Sequence, residues 1–114
     1  MSLSVVLCTY NGTRYIEEQL ESILSQSLTP DEIVVSDDGS SDDVLEVIDS
    51  RLAGGSVAYS VLKNKFTIGP ALNFSQAINQ AKGEYIAMSD QDDVWGCLKL
   101  ESLMSLMHCL EADV

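Results

Sequence analysis

Apolar, β-branched runs alternate with stretches of helical spacing along the whole of this chain, and that alternation constrains its fold more than any single residue. Leu3 to Cys8 is a short apolar run closed by Asn11-Gly12. Ile16, Leu20, Ile23, Leu24 and Leu28 then recur at helical intervals, which predicts a helix over 13–27. Pro30-Asp31 marks a turn before a second strand, Glu32 to Ser36. Asp37-Asp38-Gly39-Ser40 reads as a loop, with Ser40 or Ser41 placed to cap a helix carrying Val44, Leu45, Val47, Ile48 and Leu52. Gly54-Gly55 ends that helix, Val57 to Leu62 is expected as a third strand, and Asn64 to Gly69 as a loop. Ala71, Phe74, Ala77, Ile78 and Ala81 mark a third helix with Gly83 as its C-terminal cap. Glu84 to Ser89 is the fourth strand, followed by Asp90-Gln91-Asp92-Asp93 and a last helix with Leu100, Leu103, Met104, Met107 and Leu110 on one face.

This order predicts an α/β fold: an open, mostly parallel, Rossmann-like sheet with right-handed crossovers and helices on both faces. A length of 114 residues favours one domain, and no internal repeat divides it. The N-terminal MSLSVVLC lacks a basic region, and no run reaches the ~18 apolar residues of a bilayer span. Neither a signal peptide nor a membrane helix is therefore expected. Cys8, Cys97 and Cys109 are odd in number without CxxC spacing, which argues against a disulfide framework or structural zinc and for a reducing compartment.

Charge narrows the function. With 18 acidic residues against 6 basic ones the formal net charge is -12, which excludes nucleic acid and anionic lipid as partners. A phosphate ligand would need a cation or well-aimed backbone amides beside it. Ligands of open parallel sheets bind at the carboxyl ends of the strands. There the order of elements gathers Thr9-Tyr10-Asn11, Asp37-Asp38 and Asp90-Gln91-Asp92-Asp93 on one rim. The carboxylates of Asp37, Asp38, Asp90, Asp92 and Asp93 would raise each other's pKa unless something positive sat among them. A divalent cation meets that need. Hard oxygen ligands favour Mg²⁺ or Mn²⁺ over zinc, since the only histidine, His108, lies on the last helix.

Plainer readings stand beside these. Aspartates after a strand also serve as turn formers and caps, and Asp37-Asp38-Gly39-Ser40 fits that role equally well. Three acids in four residues at Asp90 to Asp93 exceed what a turn needs. Trp95 reads as a packing residue, Met104 and Met107 as core, and His108 as surface. Lys63, Lys65 and Lys82 read as solvated, with Lys63 or Lys65 within reach of a phosphate.

Three tracts in order, VVLCTYNGTRYIEEQLESILSQSL, DEIVVSDDGSSDD and ALNFSQAINQAKGEYIAMSDQDDVW, resemble the N-terminal part of a family 2 glycosyltransferase from about Ser4 to about Glu101. That family includes rhamnosyl-type transferases of bacterial surface polysaccharide synthesis. The resemblance implies a glycosyltransferase A-type fold, a nucleotide-diphosphate sugar donor of the UDP, dTDP or GDP type, and Mg²⁺ or Mn²⁺. By it, Cys8, Thr9, Tyr10 and Asn11 line the nucleoside, and Asp38 accepts a hydrogen bond from the base while Asp37 supports the loop. The family's DxD motif falls on Asp90-Gln91-Asp92. This makes Asp92 the first metal ligand, puts Asp90 on the ribose or the metal, and places Gln91 in the same nucleotide-sugar-binding tract. Asp93 braces the loop.

Two departures stand out. The family usually has a proline and an acid between the tryptophan and the lysine-leucine pair, where this chain has Gly96-Cys97-Leu98. Relatives also continue into a region that binds the acceptor and supplies the carboxylate general base of an inverting transfer. The expectation is thus a single nucleotide-sugar-binding domain over 1–114, truncated before the acceptor part, with no catalytic base among its own residues. A glycan or lipid-linked glycan acceptor, and a cytoplasmic location extending to the inner face of the membrane, follow from the same resemblance.

Other classes fit less well. A receiver-type signalling domain needs an aspartate after its third strand and a lysine after its fifth. Here Lys63-Asn64-Lys65 follows the third strand, and no fifth is expected. A sugar-phosphate nucleotidyltransferase opens with a glycine-rich basic loop, whereas Cys8 to Arg14 holds one glycine. A donor-binding or assembly fragment without catalysis is the third alternative, since an open apolar sheet edge can drive homo-oligomer formation.

Overall fold

The seven residues Leu3–Thr9 (β1) are all buried, a pattern that only the middle of a sheet covered on both faces can satisfy. In the computed structural model, which describes residues 2–90 and 92–112, β1 pairs in parallel with β2 (Glu32–Asp37) on one side. On its other side it pairs in parallel with β4 (Tyr85–Ser89), and β2 pairs in parallel with β3 (Ala58–Lys63). The strand order is β3-β2-β1-β4. Successive side chains point to opposite faces. Leu3, Val5 and Leu7, with Ile33, Val35 and Ala87, pack under α1 (Thr13–Leu24), α2 (Val44–Leu52) and α4 (Lys99–Ala112). Val6, Cys8 and Val34 pack under α3 (Pro70–Gln80) through Ala77, flanked by Phe74 and Ile78. The predicted open parallel sheet with helices on both faces is the fold observed.

Several local expectations give way. Helix α1 ends at Leu24, not at residue 27, and Ser25 turns its hydroxyl back onto the Glu21 carbonyl at 2.6 Å. Thr9 and Asp37 close their strands, facing each other in register, and do not open loops. Neither Ser40 nor Ser41 caps α2. The Ser40 hydroxyl donates to Asp37, the Ser41 N–H donates to Asn11, and Asp42 receives the N–H of Val44 at 3.2 Å. On α4, Leu100 and Met104 join the core while Leu103, Met107 and Leu110 stay exposed, because only the first two turns of this helix reach the sheet. Trp95 packs in the core and His108 is exposed, as their plain readings hold. Among the described residues no helix is long and apolar enough to cross a membrane.

Gly83 is not a helix cap either. Helix α3 stops at Gln80 with Ala81 extended, and Gly83 instead presses against β1, its N–H donating to Ser4 Oγ at 2.8 Å. A Cβ on Gly83 would lie 2.6 Å from Ser4 Oγ and 2.7 Å from the Ser4 backbone nitrogen. A side chain can rotate aside, but a central strand cannot. Gly83→Ala should therefore destabilise the protein by about 1–3 kcal/mol in urea denaturation, as overpacking does. A wild-type midpoint would show that the 81–84 connection shifts freely.

Candidate functional site

Strand order β3-β2-β1-β4 means that the chain builds outward on one side of β1 and then crosses to the other. Such a reversal opens a crevice at the carboxyl ends of the strands. A cavity of about 290 Å³ lies there, on the α3 face. The end of β1 contributes Cys8, Thr9 and Tyr10, β2 leads into Asp38, and β4 leads into Asp90. Thr67 and Gly69 of the 64–69 loop, with Pro70, Asn73 and Phe74 of α3, close the opposite wall.

The sequence-predicted residues divide into two groups. Cys8, Thr9, Tyr10, Asp38 and Asp90 meet at the cavity. Asn11 and Asp37 are engaged between loops. Asn11, at φ 49°, accepts the N–H groups of Ser41 and Asp42 at 2.8 and 3.4 Å. Its own N–H donates to Ser40 Oγ at 2.8 Å, and that hydroxyl in turn donates to Asp37. Asp37 is fully buried and also takes the Ser40 N–H at 3.0 Å. Asp92 is exposed with φ 73°, in the left-handed region that aspartate tolerates better than most residues. Asp93 folds back on Asp90: its carboxylate takes the Asp90 N–H and its N–H meets the Asp90 carbonyl, both at 3.1 Å. Gln91 lies outside the described residues.

Asp38 is 4 % exposed and carries three internal hydrogen bonds. Ile68 N–H and Asn64 Nδ2 reach Oδ1 at 2.8 and 3.1 Å, and Gly69 N–H reaches Oδ2 at 3.0 Å. Burial pushes this carboxyl up, but the Ile68 N–H, the Asn64 amide and the Gly69 N–H together hold it below the ordinary carboxylate range. A carboxylate has about four acceptor directions, so one remains for a ligand N–H. The support continues beneath. Asn64 also donates to Asn73 at 3.0 Å, and Gln76 donates to Asn64 at 2.8 Å and to Ser36 Oγ at 3.0 Å. Gly69, at φ 93°, makes the turn that lets Pro70 start α3.

Cys8 and Thr9 define the floor. Burial, followed by the negative charges of Asp90 and Asp38, pushes the Cys8 thiol up to about 12, so it is an inert wall and not a nucleophile. The Thr9 hydroxyl is buried without a hydrogen-bond partner among the described residues. An orphaned buried hydroxyl costs about 1–3 kcal/mol, so a ligand able to pair with it would gain from doing so.

The crowding expected of the acidic rim is thus relieved in part by the fold itself, through amide donors on Asp37, Asp38 and Asp93. Among the described residues no three acidic, histidine or cysteine side chains gather as a ready cage for a metal. The oxygen donors at hand, Asp90 and Asp92, suit a hard cation that keeps water and ligand phosphate in its shell, as Mg²⁺ and Mn²⁺ do. Sequence reasoning missed Asn64, Thr67, Gly69, Asn73 and Gln76. Only Asn73 left a usable signal: it is a polar residue one turn before the buried Ala77, on the inward side of α3.

Comparison with known proteins agrees with this geometry. The family profile described as Glycosyl transferase family 2 matches residues 4–114. A UDP-Glc:alpha-D-GlcNAc-diphosphoundecaprenol beta-1,3-glucosyltransferase of Escherichia coli, WfgD, is 35% identical over 109 residues, which is 92% of this chain and 40% of that protein. S. aureus TarS 1-349, solved in complex with UDP-GlcNAc, superposes with a TM-score of 0.84 at 29% identity, over 95% of this chain and 31% of that one. A mannosyltransferase from Pyrobaculum calidifontis in complex with GDP-Man and Mn²⁺ gives a TM-score of 0.78 at 27% identity, over 86% and 30%. The chain spans about two-fifths of the length of the curated relatives it matches.

Two outcomes follow for the site. On brief alkylation at pH 8 with mass-spectrometric readout, the exposed Cys97 and Cys109 should label while Cys8 stays free; rapid labelling of Cys8 would contradict its raised pKa. Because Asp38 titrates lower folded than unfolded, its contribution is complete above the ordinary carboxylate pKa of about 4 and is lost as pH falls through the lowered value. Asp38→Asn should cost about 1–3 kcal/mol at neutral pH, with the gap to wild type closing on acidification. A pH-independent gap would show that the charge on Asp38 is not what holds the 64–69 loop.

Proposed function

Because the chain belongs to glycosyltransferase family 2, we propose that its cavity is the donor site of a sugar transfer from a nucleotide-diphosphate sugar to an acceptor hydroxyl. The observation that carries this reading is the meeting of an unpartnered Thr9 hydroxyl, an Asp38 carboxylate with one acceptor direction left, and Asp90 around one cavity. These groups suit a nucleoside: Asp38 for a base N–H, Thr9 for a base or ribose oxygen or N–H, and Asp90 for the ribose or a metal. Tyr10 and Phe74 supply apolar surface for the ring. UDP-sugars are the first choice of donor, supported by the names of the Escherichia coli relative and of the TarS complex; dTDP- and GDP-sugars are the alternatives. A divalent ion held through Asp92 and Asp90, as Mg²⁺ or Mn²⁺, would supply charge stabilisation to the departing diphosphate.

What the chain's own residues do is bind and orient. The β1 and β2 ends fix the nucleoside, and the 90–93 loop turns the diphosphate outward, where an acceptor hydroxyl can approach the anomeric carbon from the opposite side. Inversion at that carbon is part of the proposal. The base that takes the acceptor proton is assigned to the portion of the relatives that this chain does not cover, since Asp38 is committed to the loop and Asp90 to ribose or metal. Alone, the chain is proposed to capture the donor without transferring it. In a complete enzyme, a lipid-linked glycan at the inner face of the membrane is the proposed acceptor, in bacterial surface polysaccharide synthesis, supported by the diphosphoundecaprenol named for the relative.

Calorimetric titration with UDP, dTDP and GDP, with and without Mn²⁺, tests this. One nucleotide should bind, Mn²⁺ should tighten it about tenfold or more, and Asp92→Ala should abolish the metal-dependent gain. Folded protein that binds none of the three would overturn the donor-site reading, and a gain retained in Asp92→Ala would overturn the assignment of that ligand.

A further inference from the structure

Two buried glutamines outside the cavity grip both ends of the acidic loop. Gln19, in α1, is 1 % exposed and donates from Nε2 to Ser89 Oγ at 3.0 Å and to the Asp90 carbonyl at 2.6 Å. Gln26, in the turn that closes α1, is 5 % exposed. Its Nε2 donates to the Gly96 carbonyl at 2.7 Å, and its Oε1 accepts the Leu100 N–H at 3.0 Å. Lying two helical turns apart, the two amides share one side of the helical segment. The entry of the 90–98 segment is thus tied to one glutamine and its exit to the other. The Asp90 carbonyl held by Gln19 is the same atom that receives the Asp93 N–H, so the clamp bears directly on the turn that displays Asp92.

Packing alone does not call for amides here. A leucine would fill either position with similar volume, and replacing buried polar groups by apolar ones is often nearly neutral for stability. What an amide adds is direction: a donor fixed on one named carbonyl, and for Gln26 an acceptor as well. We propose that Gln19 and Gln26 are positioning residues that hold Asp90 and Asp92 in the geometry for a divalent cation bearing a diphosphate. The inference rests on the donor-site reading above and extends it to residues that touch neither ligand nor metal. Displacing a carboxylate by about 1 Å is enough to damage a site of this kind.

The test uses Gln19→Leu and Gln26→Leu in the full chain, with Ser89→Ala as the control that removes only the hydroxyl partner of Gln19. Nucleoside diphosphate affinity is measured calorimetrically in EDTA and in Mn²⁺, and Mn²⁺ binding is followed separately by electron paramagnetic resonance. Each leucine variant should keep wild-type affinity in EDTA and lose about tenfold or more of the Mn²⁺-dependent gain, the scale typical of groups that orient metal ligands. Ser89→Ala should keep the gain. If one leucine variant fails to fold, the other decides. A gain retained in a folded leucine variant overturns the inference alone, as does an equal loss with and without metal, which marks a merely structural role. Absence of any metal-dependent gain in the wild-type protein overturns the donor-site reading and this inference with it.

Discussion

The rest of the structure depends on β1 being hydrogen-bonded on both sides and covered on both faces. Its N–H and C=O groups have nowhere to go but β2 and β4, and its side chains nowhere but the two helical layers. That fixes the strand in register and direction, and with it the point at which it emerges. Thr9 is still inside the ladder, opposite Asp37, while Tyr10 is already exposed. A ligand met at this boundary touches a rigid floor, which is why an unpartnered hydroxyl can be kept there at all.

Acidic side chains at the rim are handled by local amides. Asp37 closes its own loop through Ser40, Asp38 draws the 64–69 loop onto the cavity through two backbone N–H groups and an asparagine, and Asp93 receives the N–H of Asp90. Each of these is a charge-assisted hydrogen bond, stronger than a neutral one, and each spends a negative charge on shaping the loop that carries it. Asp90, on the cavity wall, and Asp92, at the surface, are placed differently, toward ligand and solvent. One residue type therefore plays two roles, and backbone geometry within a few residues decides which.

That division explains what could be read in advance. The strands and helices were legible because burial imposes periods of two and about 3.6 on apolar residues, and the parallel order followed from their alternation. The clustering of Thr9, Asp38 and Asp90 was legible for the same reason, since strand ends of a parallel sheet share an edge. Which aspartate would brace and which would face the cavity was not, because that depends on where loop N–H groups point. Gly83 shows a similar limit: a glycine after a helix fits both a cap and a close approach, and only the register of β1 against β4 brings Ser4 beneath it. Gln19 and Asn73 did leave a trace, as polar residues on otherwise apolar helix faces.

The loops at the rim are not independent segments on a scaffold. Asn11 and Ser40 link the first two loops, Asp38 links the second to the third, and Gln19 and Gln26 tie the fourth to the first helix. Every link ends on a helix or strand of the core, so the rim inherits the rigidity of the sheet. Most links use a side-chain amide or carboxylate against backbone groups, a pairing that fixes distance and direction together. Apolar contacts alone would leave such loops free to slide. In a chain carrying a net charge of -12, loops left to slide would separate under their own repulsion. The same hydrogen bonds that define the cavity therefore keep its acidic walls together before any cation arrives.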